Sequence, residues 1–556
     1  MFKNRLTSRV AIVATVLIVL AAIQGTGFAF FGPVKEFVGV AYTAAAAPSD
    51  LVALRSSVLA PAEAWTRQFG TTDRDRVFAV SFDTAGNAYV AGYTDGPLPG
   101  YTELGSYDAF IRKYDPAGNI IWTRQFGTEF TDYAYGVSVD TAGNSYIAGY
   151  TSGTLPGQTS LGGGDAFIRK YDVSGTEVWT RQFGTALTDV AYGVDVDAAG
   201  NSYVTGYTPG ALPGQTSSGS FDAFVRKYDA GGTEVWTRQF GTASQDLAND
   251  ISVDAAGNSY VIGHISNGTL PGGGGSLGSQ DAFIRKYDTA GNITWTRQFG
   301  TSGFDGANAI SVDTLGNSYV AGNTTGAMPG PGSGALDTFV RKYDTAGNIV
   351  WTRQFGSSLD DIPEGISVDP AGISYVAGST LGTLPGQASS GGQDAYVRQY
   401  DASGTATFTQ QFGTAGIDNA LNVGADAAGN NYVVGFISGA LPGQTYSGTE
   451  DAFVRKYSDP AAANFSISGR VLTSVGRGIR GARITVSGGS LPVPVVVVVD
   501  EFGFYSVGSL PAGTYTVSAA QRRFSFSPPS RVITLSGNVT DAGFTGSAGA
   551  GPNLRQ

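Results

Sequence analysis

The chain has 556 residues but contains no cysteine, a single histidine and only two methionines. Without cysteine there is no disulfide, no thiolate metal site and no cysteine nucleophile. Because His264 is the single histidine, a site with several histidine metal ligands is excluded. The usual catalytic triads of nucleophile, histidine and acid are almost excluded for the same reason. The formal net charge of −11 also disfavours binding to nucleic acid or to an anionic membrane surface.

Glycine, with 81 residues, and aromatic side chains, at 12%, are abundant. Tyrosine and phenylalanine favour strands, while glycine supplies the tight turns between them. The composition therefore predicts an all-β protein of many short strands. A chain of this length can form more than one hydrophobic core.

Basic residues at the start of the chain precede the apolar stretch 10–23, and small residues follow at 25–29 and 43–47. This order is typical of an export signal, so we assign residues 1–47 to a signal peptide and N-terminal leader. An uncleaved membrane anchor is the alternative. Either arrangement predicts that the rest of the chain is secreted or displayed at the cell surface.

One phrase, WTRQFG, occurs six times, and a degenerate copy, FTQQFG, follows them. The copies lie 56 to 59 residues apart and begin at Trp65, Trp122, Trp179, Trp236, Trp295, Trp351 and Phe408. So regular a period indicates one supersecondary unit copied along the chain. Each unit holds four strand-like runs separated by turn signals, as in YGVSVD, SYIAGY, DAFIRKYD and TEVWTRQFG of residues 135–184.

Four antiparallel strands per unit predict the blade of a β-propeller, and a β-solenoid is the rival architecture. The repeats begin with a lone fourth strand near residues 62–69 and end with a third strand at 451–458. The first strand can therefore complete the last blade, which is an advantage only in a closed ring. We predict a seven-bladed β-propeller over residues 62–458, closed by its N-terminal strand.

The repeated phrase has a pattern suited to packing. Trp122, Arg124 and Phe126 alternate with polar residues, so they share one face of a strand. Large aromatics would fill the space between packed sheets, and the arginine can lie over a ring. Small residues on the first strands suit a crowded centre: Ala79, Gly136, Gly193 and Gly365. WTRQFG is therefore predicted to be a structural part of the fold.

The segments VDTAGNSYIAGY, VDAAGNSYVTGY (196–207) and VDTLGNSYVAGN (312–323) resemble the bacterial β-propeller repeat family called SBBP. The resemblance recurs in register along residues 62–458. It implies a propeller fold and a mainly structural repeat of exported proteins.

After a predicted linker at residues 459–464 the sequence changes character. The motifs GRV, GIRGARITVSGG, FGFYSV and LPAGTYTVSA of residues 465–546 resemble the carboxypeptidase-regulatory-like domain of exported bacterial proteins. The resemblance implies a small Ig- or prealbumin-like β-sandwich that acts as a spacer or adhesion element. Residues 547–556 are predicted to be a flexible tail.

Two aspartates recur in all seven repeats. One follows the glycine of QFG by five residues: Asp75, Asp132, Asp189, Asp246, Asp305, Asp361 and Asp418. The other opens each third strand: Asp108, Asp165, Asp222, Asp281, Asp337, Asp394 and Asp451. Carboxylates suit Ca²⁺, but an ion takes about 6–8 oxygens and no DxDxDG-like cluster is present. We favour turn-capping aspartates that bind backbone N–H groups, with calcium binding as the alternative.

The repeats differ mainly in the loops that lead into each first strand and each third strand, which share a rim named here the top face. The loop EFTDYAY (129–135) offers aromatic faces, and SLDDIPEG (358–365) holds the densest acidic group. The candidate ligand-binding residues are Phe130, Tyr133, Tyr135, Asp360, Asp361 and Glu364.

Together these features predict an exported, non-catalytic scaffold that binds a ligand through its top-face loops. The expected partner is an extracellular polysaccharide or a cell-surface protein. No nucleic acid, no cofactor other than calcium, and no membrane contact beyond an uncleaved anchor is expected. Two alternatives stay open: a carbohydrate-active hydrolase or lyase that uses rim carboxylates, and a purely structural repeat protein. The sequence does not indicate an oligomeric state.

Overall fold

The computed structural model describes residues 61–328, 332, 334–458, 465–488, 491, 494–510, 513–535 and 538–548. The predicted leader, the predicted linker and residues 549–556 of the predicted tail lie outside this range. The described part of the chain is all-β, as predicted, with thirty-six strands in nine four-stranded sheets. None of it forms a helix with the length and hydropathy needed to span a bilayer.

The chain begins with β1 (Ala62–Phe69), and the repeats then form seven sheets whose strands lie side by side in chain order. Sheet 1 contains β2 (Asp75–Phe82), β3 (Ala88–Thr94), β4 (Asp108–Tyr114) and β5 (Ile120–Phe126). Sheet 2 contains β6 (Asp132–Val139), β7 (Ser145–Thr151), β8 (Asp165–Tyr171) and β9 (Glu177–Phe183). Sheet 3 contains β10 (Val190–Val196), β11 (Ser202–Thr208), β12 (Asp222–Tyr228) and β13 (Glu234–Phe240). Sheet 4 contains β14 (Asp246–Val253), β15 (Ser259–Ser266), β16 (Gln280–Tyr287) and β17 (Ile293–Phe299). Sheet 5 contains β18 (Asp305–Val312), β19 (Ser318–Thr324), β20 (Asp337–Tyr343) and β21 (Ile349–Phe355). Sheet 6 contains β22 (Asp361–Val368), β23 (Ser374–Thr380), β24 (Asp394–Tyr400) and β25 (Ala406–Phe412). Sheet 7 contains β26 (Asn419–Ala425), β27 (Asn431–Ile437), β28 (Asp451–Ser458) and, at its edge, β1.

The N-terminal strand takes the place of the fourth strand of sheet 7. β1 pairs antiparallel with β28, and Arg455 Nε donates to Thr66 Oγ1 at 2.9 Å. Arg112 and Thr123 make the same contact, also at 2.9 Å, between the third and fourth strands of sheet 1. The first and last repeats are therefore joined within one sheet.

The hydrophobic core of the repeats lies between sheets. In the described residues seven clusters of buried side chains each join two consecutive sheets, and one of them joins sheets 7 and 1. The first strand of each sheet, named here its inner strand, contacts the inner strands of both neighbouring sheets. The inner strands are β2, β6, β10, β14, β18, β22 and β26.

The repeated phrase WTRQFG joins each sheet to the next one, which confirms its structural role. Trp122 is buried, and its Nε1 donates to the carbonyl of Val173 in the following sheet at 3.2 Å. Arg124 Nε donates to the carbonyl of Gly175 at 2.6 Å, and its guanidinium lies 5.5 Å from the Trp122 ring centroid. The arginine thus combines a hydrogen bond between sheets with a cation–π contact, as predicted.

The recurring DxxGN motif forms the hairpin turn after six of the seven inner strands, and DPAGI (369–373) takes its place after β22. Asp140 Oδ1 accepts hydrogen bonds from the N–H groups of Ala142 and Asn144 at 3.0 and 2.9 Å. Gly143 adopts a φ of +82°, in the left-handed region that glycine enters at little cost. Turn geometry alone therefore accounts for this motif.

The inner strands begin earlier than the sequence pattern predicts. Residues 129–135 and 358–365 were expected to be loops, but β6 begins at Asp132 and β22 at Asp361. A one-residue bulge interrupts the pairing of each strand, at Tyr135 and Glu364. Because a bulge breaks the alternation of inward and outward side chains, the first half of each strand has no period-two pattern.

Beyond the repeats, eight strands form two further four-stranded sheets around one shared hydrophobic core. They are β29 (Phe465–Thr473), β30 (Arg483–Gly488), β31 (Val495–Val498), β32 (Phe504–Leu510), β33 (Gly513–Ala520), β34 (Phe524–Ser527), β35 (Ser530–Leu535) and β36 (Phe544–Ala548). The sheet orders are β32–β29–β36–β34 and β31–β30–β33–β35. β36 runs into the predicted tail because Ala548 pairs with Phe524. The assignment to the carboxypeptidase-regulatory-like family stays a prediction.

Candidate functional site

All seven inner strands carry a bulge at the same place, three residues after the first repeated aspartate. The extra residue leaves the hydrogen-bonded ladder, which turns its side chain in a new direction. We name these residues the bulge ring: Phe78, Tyr135, Tyr192, Asn249, Asn308, Glu364 and Leu421. All seven line one cavity of about 490 Å³.

Three consecutive sheets supply an aromatic arc to this cavity, formed by Phe78, Tyr135 and Tyr192. The ring centroids of Phe78 and Tyr135 lie 5.1 Å apart, and those of Tyr135 and Tyr192 lie 5.4 Å apart. Tyr133 continues the cluster away from the bulge ring, 5.5 Å from Tyr135 and 4.9 Å from Tyr93. Such distances are typical of favourable aromatic pairs, so the arc is a preformed surface.

The next three sheets supply a polar arc, formed by Asn249, Asn308 and Glu364. Asn249 Nδ2 donates to the backbone carbonyl of Ala307 at 2.9 Å, and Asn308 Nδ2 donates to that of Pro363 at 2.7 Å. Each asparagine thus binds the inner strand of the following sheet. These bonds hold the amide groups in fixed positions at the cavity wall.

Glu364 differs from its two neighbours in the polar arc. No hydrogen bond or ion pair to its carboxylate occurs in the described part of the chain. Burial raises the pKa of Glu364 from its ordinary value of 4.5 to about 7. The carboxyl group therefore exchanges its proton near neutral pH and can act as an acceptor or a counter-ion.

Two further carboxylates connect inner strands near the cavity. Asp250 lines the cavity and accepts from the N–H groups of Ile251 and Ile310 at 2.8 and 2.9 Å. Burial is the main reason that the pKa of Asp250 is raised to about 7, and the nearby Asp195 adds to it. Asp195 accepts three hydrogen bonds of 2.8 Å, from one hydroxyl and two N–H groups, and burial raises its pKa as well. Both carboxylates thus have structural partners.

Glycine makes room for one of these carboxylates. A Cβ atom on Gly193 would lie 3.0 Å from Asp250 Oδ1 and 3.1 Å from the backbone nitrogen of Ile251. The small residue predicted for a crowded centre therefore lies where two inner strands approach each other closely.

The structure brings only part of the predicted top-face group together. Tyr135 and Glu364 line the cavity, and Tyr133 contacts Tyr135. Phe130 lies on the loop before β6 with half of its surface exposed.

Asp360 and Asp361 do not line the cavity that Glu364 lines. Asp360 lies just outside β22, partly exposed, and its carbonyl accepts from Leu381 N–H at 2.9 Å. Asp361 is fully buried and accepts from Ser357 N–H at 2.5 Å. Because Asp361 is used in a turn, Glu364 is the only member of the predicted acidic group at the cavity.

The remaining cavity residues were not identified from the sequence. They include Phe78, Tyr192, Asn249, Asp250, Asn308 and Asn422. A partial signal is present, because the position three residues after the repeated aspartate holds five residue types in the seven repeats, while the residue before it is alanine in five of them.

The repeated aspartates make the turn-capping bonds expected of them. Asp132 is fully buried, and its Oδ2 accepts from the N–H and the hydroxyl of Thr128 at 2.6 and 2.9 Å. Asp108 Oδ2 accepts from Leu104 N–H at 2.9 Å and from Gln125 Nε2 at 2.8 Å. No group of three or more acidic or histidine side chains suited to a metal ion occurs in the residues that the structure describes.

His264 lies in β15 within sheet 4, at the place of a tyrosine in other repeats. Burial lowers the pKa of His264 to about 4, so the imidazole is neutral at physiological pH. It lies outside the set of residues that line the cavity.

Comparison with known proteins supports the repeat assignment. Six segments match the family described as Beta-propeller repeat (SBBP): residues 64–99, 121–156, 178–212, 235–270, 294–327 and 350–384. The degenerate copy that begins at Phe408 is not among them.

Two curated proteins show partial similarity. The "Regulatory protein FlaEY" of Caulobacter vibrioides is 27% identical over 427 residues, which cover 65% of this chain and 42% of that protein. The "Uncharacterized WD repeat-containing protein L264" of Acanthamoeba polyphaga mimivirus is 24% identical over 535 residues, which cover 71% of this chain and 38% of that protein. The chain thus spans about two-fifths of the length of these relatives.

Solved structures show a more distant similarity. The WD40 domain of Neurospora crassa Pan2 aligns with 72% of this chain and 96% of its own, at 10% identity and a TM-score of 0.42. A fungal alcohol oxidase of the AA5 family, in complex with copper, aligns with 86% of this chain and 100% of its own. The identity is 12% and the TM-score is 0.41. Similarity this low says nothing about function. The chain is thus an all-β protein of repeated four-stranded sheets, and six of its segments match the SBBP beta-propeller repeat.

Proposed function

We propose that this chain is a non-catalytic binding scaffold that takes its ligand in the cavity lined by the bulge ring. The observation that carries the proposal is a break in the repeat symmetry. The tryptophans and capping aspartates of the framework recur almost unchanged, whereas the bulge ring presents aromatic groups on one side and polar groups on the other. Packing alone gives no reason for such a division, but recognition of an asymmetric ligand does.

The chemistry of the two arcs suits a polysaccharide. A sugar ring has an apolar C–H face that can lie on an aromatic surface and a hydroxyl edge that binds amides and carboxylates. The aromatic arc and the polar arc supply these two kinds of group within one cavity. Its volume of about 490 Å³ falls within the range of about 300–1,000 Å³ found for small-ligand sites.

The proposal includes a closed propeller of seven blades. The pairing of β1 with β28 and the hydrophobic cores between consecutive sheets, including sheets 7 and 1, support this arrangement. The inner strands of such a ring surround a central axis, on which the cavity would lie. The bulge ring is three residues from the rim aspartates, so the ligand would approach from the top face.

We also propose that the protein acts outside the cytoplasm, where polysaccharides are available. The basic and apolar start of the sequence motivates this part of the proposal. In this arrangement the C-terminal sheets serve as a spacer or adhesion element. Cell fractionation of the natural host is the test, and recovery of the full-length chain in the cytoplasm would contradict export.

A glycan array probed with the full chain tests the binding function. Tyr135→Leu keeps an apolar side chain but removes the ring, so we expect it to weaken glycan binding by tenfold or more. Phe502→Ala is the control, because Phe502 is an exposed aromatic in the turn before β32, far along the chain from the bulge ring. Absence of any bound glycan, or equal binding by Tyr135→Leu, would overturn the proposal.

A further inference from the structure

Glu364 is the one acidic side chain in the bulge ring, and its carboxylate has no partner among the described residues. Burial alone raises the pKa of Glu364. No neighbouring cation or N–H group stabilises the ionised form. Glu364 is partly exposed to the cavity, and a partly desolvated charge without a partner is still costly, so its presence needs an explanation.

Elsewhere in the repeats the chain does supply partners for buried carboxylates. Lys113 Nζ lies 3.1 Å from Asp83 Oδ2, and Lys286 Nζ lies 3.6 Å from Asp254 Oδ2. Asp195 has no lysine but accepts three hydrogen bonds. Glu364 is therefore different from these groups, and the missing partner can come from outside the protein.

The cavity around Glu364 is suited to a cation. Its lining includes the carboxylates of Asp250 and Glu364 but no lysine or arginine. The aromatic arc lies about opposite Glu364, because sheet 6 is three steps from sheet 2 and three from sheet 3 in the order of sheets. Aromatic faces attract cations, and a carboxylate favours its ionised form beside one.

We infer that the cavity selects a ligand with an ammonium group, which within the polysaccharide class is an amino sugar with a free amine. This inference rests on the proposed function, because it names the ligand class of the same site. The ammonium group takes the place of the missing partner of Glu364, while the rest of the sugar lies against the aromatic arc. The net charge of −11 also attracts a cationic polymer toward the protein.

The test compares two oligosaccharides of equal length by calorimetric titration of the full chain. One is a tetramer of β-1,4-linked glucosamine, and the other is its fully N-acetylated counterpart, which carries no charge. We expect the free amine to bind at least tenfold more tightly. Glu364→Gln should remove this preference, whereas Glu129→Gln, which neutralises an exposed acid on the same face, should not.

Each outcome bears on the inference. Loss of the preference in Glu364→Gln alone supports it. Equal binding of the two oligosaccharides, unchanged in Glu364→Gln, overturns the amine selectivity but leaves polysaccharide binding standing. If only a lysine-rich peptide binds, and does so through Glu364, the amino-sugar assignment is wrong. If Glu364→Gln folds and neither it nor the natural chain binds any of these probes or any glycan, the proposed function fails as well.

Discussion

Replacement of Glu364 by glutamine should stabilise the folded protein at high pH. The rise of its pKa from 4.5 to about 7 means that the folded state binds the proton more tightly than the unfolded chain does. The free energy of unfolding of the natural protein therefore falls as pH rises between these values. At about 1.4 kcal/mol per pH unit the full rise corresponds to about 3 kcal/mol, and contact with cavity water reduces this, so we expect about 1–3 kcal/mol.

Urea denaturation at a series of pH values measures this difference. The six tryptophans lie in sheets 1 to 5 and 7, and Trp351 contacts Tyr400 of sheet 6, so their fluorescence reports on the repeats and not on the C-terminal pair. The two proteins should be nearly equal at pH 4 and differ fully at pH 8, with the variant more stable. Asp250 titrates in both proteins and cancels in the comparison. A variant that is less stable than the natural protein at pH 8 would refute the idea that Glu364 is an unpartnered charge.

Three further predictions concern the framework. Asp132→Ala leaves the N–H of Thr128 without its acceptor, so we expect a loss of about 1–3 kcal/mol in urea denaturation, and an unchanged midpoint would contradict the capping role. Deletion of residues 1–70 removes β1 and exposes the edge of β28, so the shortened chain should unfold more readily or self-associate in gel filtration, whereas an equally stable monomer would contradict the role of β1. Thermal unfolding should be the same in calcium and in EDTA, because the described aspartates are used in turns, and a rise in calcium would assign them to a metal site.

The strands of the repeats could be predicted because their pattern is local. The runs SYIAGY and DAFIRKYD, bounded by turn residues, form β7 and β8 almost to the residue. The role of WTRQFG could also be predicted, because a buried tryptophan beside an arginine suits the space between sheets. The pairing of β1 with β28 could be predicted as well, because one extra strand precedes the repeats and the last repeat lacks its fourth strand.

The candidate site could be predicted only in part, because a bulge has no simple signature. Tyr135 and Glu364 were identified for their aromatic and acidic character, but they were expected on loops of the rim. The bulge instead places them on inner strands at the cavity, three residues beyond buried Asp132 and Asp361. Their common location depends on seven strands meeting around one space, and that arrangement is a property of the assembled sheets.

A crystal structure of the full chain with a glycan identified on the array tests the central claim most directly. The account predicts density for the glycan within the cavity, between the ring of Tyr135 and the carboxylate of Glu364. Density confined to the outer rim near Phe130, or to the C-terminal sheets, with the cavity empty, would contradict it.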